Sequence, residues 1–211
     1  MNNVFKLLLI VAACTLAFLC YDSIMTPIEF NEVRDAREKV IVERLIDIRR
    51  AETEYRNIKG DYTASFDTLI NFIKYDKAKI VLKEGELTDK QLEEGLTEKE
   101  AVKKGLIKRD TTYVSMLENL FGEGYPVDSL RYIPFSSPRQ EFTLEKAEIT
   151  TGSAGIKVKV MAAKAPYVSY LNDLDKQELI NLIETTEKLE KFPGLKFGDI
   201  EQANNNAGNW E

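Results

Sequence analysis

The side chains that carry most enzyme chemistry are absent from this sequence or confined to one corner of it. None of the 211 residues is histidine, which removes the commonest general base, the commonest metal ligand and any Ser-His or Cys-His nucleophile pair. The only two cysteines, Cys14 and Cys20, both fall in an apolar N-terminal run, so the remaining chain has no thiol to react or to bind metal. Asp89, Glu93, Glu94, Glu98 and Glu100 are close in sequence, but they are interleaved with lysines and lack calcium-loop spacing. There is no phosphate-cradling glycine loop and no Gly-x-Ser-x-Gly elbow. Paired carboxylates for glycoside hydrolysis need not be neighbours in sequence, so an enzyme built on acids, lysines, tyrosines or serines stays as a third reading. The expectation is a protein that is not an enzyme and that uses no cofactor and no metal.

Composition narrows the partners. Hydrophobic residues make up 44% of the chain and charged residues 30%, an ordinary globular balance with enough length for one real core. The net charge is −6, with lysine and glutamate interspersed, whereas nucleic acid binding needs a concentrated basic surface. Nucleic acid is therefore not expected as a partner. A domain without disulfides fits a bacterial periplasm or a cytosol better than a stapled extracellular module.

The elements that must position any function begin at the N-terminus. Residues 4–21 are interrupted only by Lys6, and at about 1.5 Å per residue they just cross a hydrocarbon core of about 30 Å. Residues 1–22 are expected to be a membrane anchor crossing once. Lys6 on the short side and Asp22, Glu29 and Glu32 beyond favour a cytoplasmic N-terminus. The remainder then lies in the periplasm, outside the bacterial inner membrane, with no room for a cytoplasmic output domain. Two other fates stay open. A cleaved signal peptide is one, although Ala17-Phe18-Leu19 puts bulk where small residues are wanted. Lipidation at Cys14 is the other, on the lipobox-like Val11-Ala12-Ala13-Cys14.

Residues 23–60 read as a helical stem. After Pro27, apolar residues fall at Phe30, Val33, Ala36, Val40, Ile41, Leu45, Ile48, Ala51, Tyr55, Ile58 and Tyr62, in steps of three or four with few exceptions, and Val42 and Ile46 widen the stripe in its middle. Pro27 is compatible with a kinked continuous helix or with the first turn of a new one. Asp35/Lys39 and Glu52/Arg56 are spaced as i,i+4 pairs for the wet side, and Gly60 ends the element. Much of the stripe is expected under the chain's own domain, with Val33, Val40, Ile41 and Ile48 as the positions that face a partner or a second copy.

Ala51, Tyr55, Gly60-Asp61-Tyr62 and Leu69 together resemble the helix end of type IV pilins and pseudopilins. That resemblance implies a helical spine on an antiparallel sheet and a role in envelope filaments or secretion machines. The chain departs from the family in lacking its Gly-Phe-Thr-Leu-x-x-Glu processing site and an early glutamate in the apolar run.

Residues 61–203 are expected to form an α+β domain. A short helix over 63–74 and a strand over 78–83 lead into residues 84–122, read as an insertion of short helices. Thr88-Asp89-Lys90-Gln91 and Thr97-Glu98-Lys99-Glu100 are capping boxes with stopping glycines at Gly95 and Gly105, and a third unit runs from Thr111 to Gly122. Strands are expected over 130–135, 142–150, 156–163 and 195–200, with a bulge between Leu144 and Ala147 where the apolar parity changes. A helix over 171–189 opens at Asp173 or Asp175. The polar tail, 204–211, contains the only tryptophan, Trp210, read as either frayed or docked. This ending is similar to that of membrane-anchored proteins of Bacteroides-type bacteria, a likeness that implies no activity.

The sequence thus describes a membrane-anchored α+β envelope protein that serves assembly or protein–protein contact. The alternative is a periplasmic peptide- or glycan-binding module anchored by lipid at Cys14.

Overall fold

A computed structural model describes residues 3–84, 97, 100, 108–152 and 155–211. The fold is α+β, with a long N-terminal helix and two small antiparallel sheets in place of the single sheet expected. By contact, the chain divides into two compact units: Met1–Phe66 with Ser129–Glu211, and Asp67–Asp128.

In the first unit α1 runs unbroken over Asn3–Lys59, with Pro27 inside it, so the segments expected as anchor and stem are one helix. Gly60, at φ 80°, ends it in the left-handed region that costs a β-carbon-free residue least. The N-terminal part is long and apolar enough to cross a membrane; its best window has a mean hydropathy of 2.2, and no part of that window is buried by the chain. Further along, Ile41, Leu45, Ile48 and Ala51 are completely buried.

The rest of this unit is a three-stranded sheet in the order β3-β4-β5, from β3 (Thr143–Thr151), β4 (Ile156–Pro166) and β5 (Gly194–Gly198). β3 and β4 pair one to one from Thr143↔Lys164 to Thr151↔Ile156, so the expected bulge is absent. The parity change has another cause: Leu144 is buried on one face, whereas Ala147 and Ile149 are half-covered on the other. β4 is the middle strand, and only its first half, at Ile156 and Lys157, is exposed. Val160, Met161, Ala162 and Ala163 are all buried, on both faces. Between β4 and β5 lie a short helix α4 (Tyr167–Tyr170), which the sequence did not announce, and α5 (Lys176–Lys188). Asp175 caps α5 by accepting from the Gln177 and Glu178 N–H groups. Asp173 is engaged elsewhere, by Arg37. Residues 130–135 are not a strand; a single bridge, Tyr132↔Glu141, is all the pairing they make. Phe135 there sits at φ 64°, which breaks an extended run.

In the second unit α2 starts at the boundary (Phe66–Tyr75), and β1 (Lys77–Glu84) pairs antiparallel with β2 (Lys108–Ser115), from Lys77↔Ser115 to Glu84↔Lys108. The third helical unit expected from Thr111 is therefore half strand. Thr111, Thr112, Tyr113 and Val114 are β-branched or aromatic, and pairing with β1 satisfies their backbone. Helix appears only at α3 (Met116–Phe121). Thr97 and Glu100 make one half of a capping box: the Thr97 N–H donates to the Glu100 carboxylate at 3.2 Å, while the Glu100 N–H donates to the Thr97 carbonyl and not to its hydroxyl. The other box (88–91), both stopping glycines, and Asp89, Glu93, Glu94 and Glu98 lie outside the described residues.

Candidate functional site

Two features of the first unit concentrate polar chemistry, and both depend on how α1 ends. The first is the C-terminal turn of the stem. Ile41, Leu45, Ile48 and Glu52 follow one another in steps of four, three and four, so Glu52 falls on the buried stripe. Its expected pairing with Arg56 on the wet side does not occur: Glu52 is completely buried. One carboxylate oxygen accepts from the Thr63 N–H at 3.0 Å, and the other has no partner among the described residues. Burial, only partly offset by the Thr63 bond and by Lys146, pushes this carboxyl up to about 8. Glu52 is thus held protonated at neutral pH.

Around it, lysines from the sheet close the helix end. Lys159 donates to the Gly60 carbonyl at 2.7 Å, and Lys146 to the Tyr62 carbonyl at 2.9 Å, the place where cations suit a helix dipole. Asp61 accepts from Lys146 at 3.0 Å and lies 3.7 Å from Lys159; the Lys146 bond holds its carboxyl below the usual range.

The second feature is a cavity of about 290 Å³ beside this turn, bounded by Arg56, Tyr62, Lys159 and residues 203–206 over Val158 and Val160. The Tyr62 hydroxyl accepts from Arg56 and from the Asn206 amide, each at 3.0 Å, and the Arg56 guanidinium lies 5.1 Å from the Tyr62 ring centre. A larger cavity, about 540 Å³, is lined by Tyr167, Thr186, Leu189, Phe192 and Lys196 among others, but Lys196 there is tied to Asp199.

The tail that completes the smaller cavity is docked. The Gly198 N–H donates to the Ala207 carbonyl at 2.9 Å and the Asn209 N–H to the Lys196 carbonyl at 3.0 Å, closing the free edge of β5. Glu211 pairs with Arg49 at 2.6 Å. Trp210 is half-buried with its ring against Gly208, where a β-carbon would overlap it.

The stem residues expected to face a partner separate into two kinds. Ile41 and Ile48 are completely covered by the chain itself and are corrected to core positions; they continue the stripe through Leu45. Val33 and Val40 remain 37% and 40% exposed, seven residues apart and hence on one side of the helix. Cys14 is exposed on the apolar part of α1.

Basic side chains flank the stripe and clasp the domain. Arg37 forks onto Asp173 at 2.6 and 2.7 Å and also donates to the Tyr170 carbonyl, and Arg44 donates to Ser129. Glu38, pushed up chiefly by burial, accepts from the Tyr170 hydroxyl at 3.3 Å. Asp35 pairs with Arg34 and not with the expected Lys39.

Among the described residues no three acids or cysteines gather as a metal site. No protein-family model, curated protein or solved structure matches the chain. The likeness to pilins therefore stands on the quoted residues alone.

Proposed function

We propose that this is a membrane-anchored, non-enzymatic envelope protein whose stem presents a contact face to neighbouring chains, pilin-like in architecture and serving assembly or protein–protein interaction. One observation carries the reading. A single helix joins an uncovered apolar segment to a packed domain, and between the two it keeps Val33 and Val40 exposed. An exposed valine costs little singly, but a pair repeated after two turns on a rigid helix suits helix-to-helix packing. The single-pass topology, with the domain in the periplasm and the anchor in the inner membrane, follows from the charge placement around residues 4–21 and belongs to the same proposal.

The test is biochemical fractionation of the full chain followed by intact mass. The expected result is a protein that resists alkaline extraction from membranes, is digested from the periplasmic side and retains its N-terminal segment. Release into the soluble fraction would overturn the anchor.

A second reading, the binding module lipidated at Cys14, is favoured by the donor-lined cavity at the stem end. A mass increment of a diacylglyceryl group on a chain beginning at Cys14 distinguishes it from a retained anchor.

A further inference from the structure

We infer that the cavity formed by Arg56, Tyr62, Lys159 and Asn204 to Asn206 binds an acidic sugar, taking the carboxylate of one uronic acid unit between Arg56 and Lys159. Several hydrogen-bond donors at this cavity are unspent. Arg56 gives one N–H to the Tyr62 hydroxyl and stacks on that ring, and no carboxylate pairs with it among the described residues. The remaining edge of its guanidinium is free to fork onto a carboxylate. The Tyr62 hydroxyl already accepts from Arg56 and Asn206, which fills both lone pairs and leaves its own proton to be donated. Lys159 brings a second positive charge, although its ammonium is shared with the Gly60 carbonyl and lies 3.7 Å from Asp61. Among the described residues no acid lines the cavity. Such a wall of donors selects an anion with several acceptor oxygens.

Three further observations select a sugar over a peptide. Asn204 holds the loop, accepting from the Asn206 N–H and donating to the Ala207 carbonyl, and Asn206 donates to Tyr62, whereas the Asn205 side chain has no partner among the described residues and offers an amide that both donates and accepts, as ring hydroxyls require. Val158 and Val160 supply an aliphatic floor for the C–H face of a ring. A peptide would add to a strand edge, but the edge of β5 is already closed by the tail. At about 290 Å³ the space is at the small end of ligand pockets, the size of one ring.

The site is independent of the exposed stem valines, so its failure leaves the contact-face reading untouched. The experiment is calorimetric titration of the full chain in detergent micelles with sodium galacturonate, galactose and inorganic phosphate in turn. The account predicts that galacturonate binds at least about tenfold more tightly than galactose, the loss expected when charged hydrogen bonds are removed. Phosphate is predicted to bind more weakly than galacturonate. Arg56→Ala and Asn205→Gly should each weaken galacturonate about tenfold. Glycine keeps the φ of 57° found at Asn205, so that variant removes the amide without straining the loop. Leu189→Ala in the larger cavity should change nothing. Equal binding of galactose and galacturonate, phosphate binding as tightly as galacturonate, unchanged affinity in both variants, or no binding to the intact chain would each overturn the proposal.

Discussion

Residues 41–52 and residues 24–40 belong to the same helix and draw on the same isoleucines, valines, arginines and glutamates, yet one stretch is core and the other is mostly surface. In the first, Ile41, Leu45, Ile48, Ala51 and Glu52 are fully buried. In the second only Phe30 is, while Ile24, Ile28, Val33 and Val40 are 61, 44, 37 and 40% exposed. Spacing explains the difference. Steps of four, three and four keep 41, 45, 48 and 52 on one line, whereas steps of four, five and seven carry 24, 28, 33 and 40 around the helix. The lower stem is built to be covered by its own domain, and the upper stem has apolar residues that this domain does not reach. Arg37, forked onto Asp173, is the outermost of the polar clasps that tie the stem to the C-terminal half.

The sharpest way to break this comparison is to truncate one residue in each stretch. Leu45→Ala should destabilise the full chain by about 2–5 kcal/mol, the usual cost of emptying a packed leucine site, and urea unfolding in micelles measures it. Val40→Ala should stay within about 0.5 kcal/mol by the same measurement. Similar losses at the two sites would erase the distinction.

Glu52 sharpens it through pH. Its folded carboxyl, at about 8, lies above the ordinary value of 4.5. Below 4.5 both folded and unfolded forms hold the proton and nothing changes. Between 4.5 and about 8 the unfolded chain ionises first, so stability falls as pH rises, and above 8 the fall stops. The total is on the order of a few kcal/mol. Glu52→Gln keeps an acceptor for Thr63 and should abolish this alkaline decline in melting curves taken from pH 5 to pH 9; an unchanged slope would place the charge elsewhere.

Asp173 behaves in the opposite sense and more weakly. The Arg37 bonds hold its carboxyl below the usual range, so its contribution is present at neutral pH and lost as acid protonates it. Since Asp173 is half-exposed, Asp173→Asn should cost no more than about 1 kcal/mol at pH 7, a cost that shrinks as the pH is lowered into the acid range, as read by melting temperature.

Much of this architecture was legible from period alone. The stem, its end at Gly60, the hairpin of β3 and β4, and α5 with its Asp175 cap all follow from apolar spacing and capping chemistry. Glu52 was legible too, four residues after Ile48 on the buried line, but its charge argued for water, and only the tertiary arrangement shows that burial prevails. β2 was hidden for a different reason. Thr111 opens a capping-like run, and whether it becomes helix or strand is decided by β1, a partner about thirty residues away in register. The small cavity was not legible at all, since Arg56, Lys159 and Asn205 are brought together only when the tail docks on β5.

The account rests most heavily on the uncovered upper stem, and photo-crosslinking in intact cells tests it directly. A benzoylphenylalanine at Val33 or Val40 should trap a neighbouring chain, resolved by mass as a second copy or another envelope protein. The same group at Asn31, exposed on the other side of the helix, should trap none. Absence of intermolecular adducts at both valines, or adducts of equal yield at Asn31, would contradict a contact face on the stem.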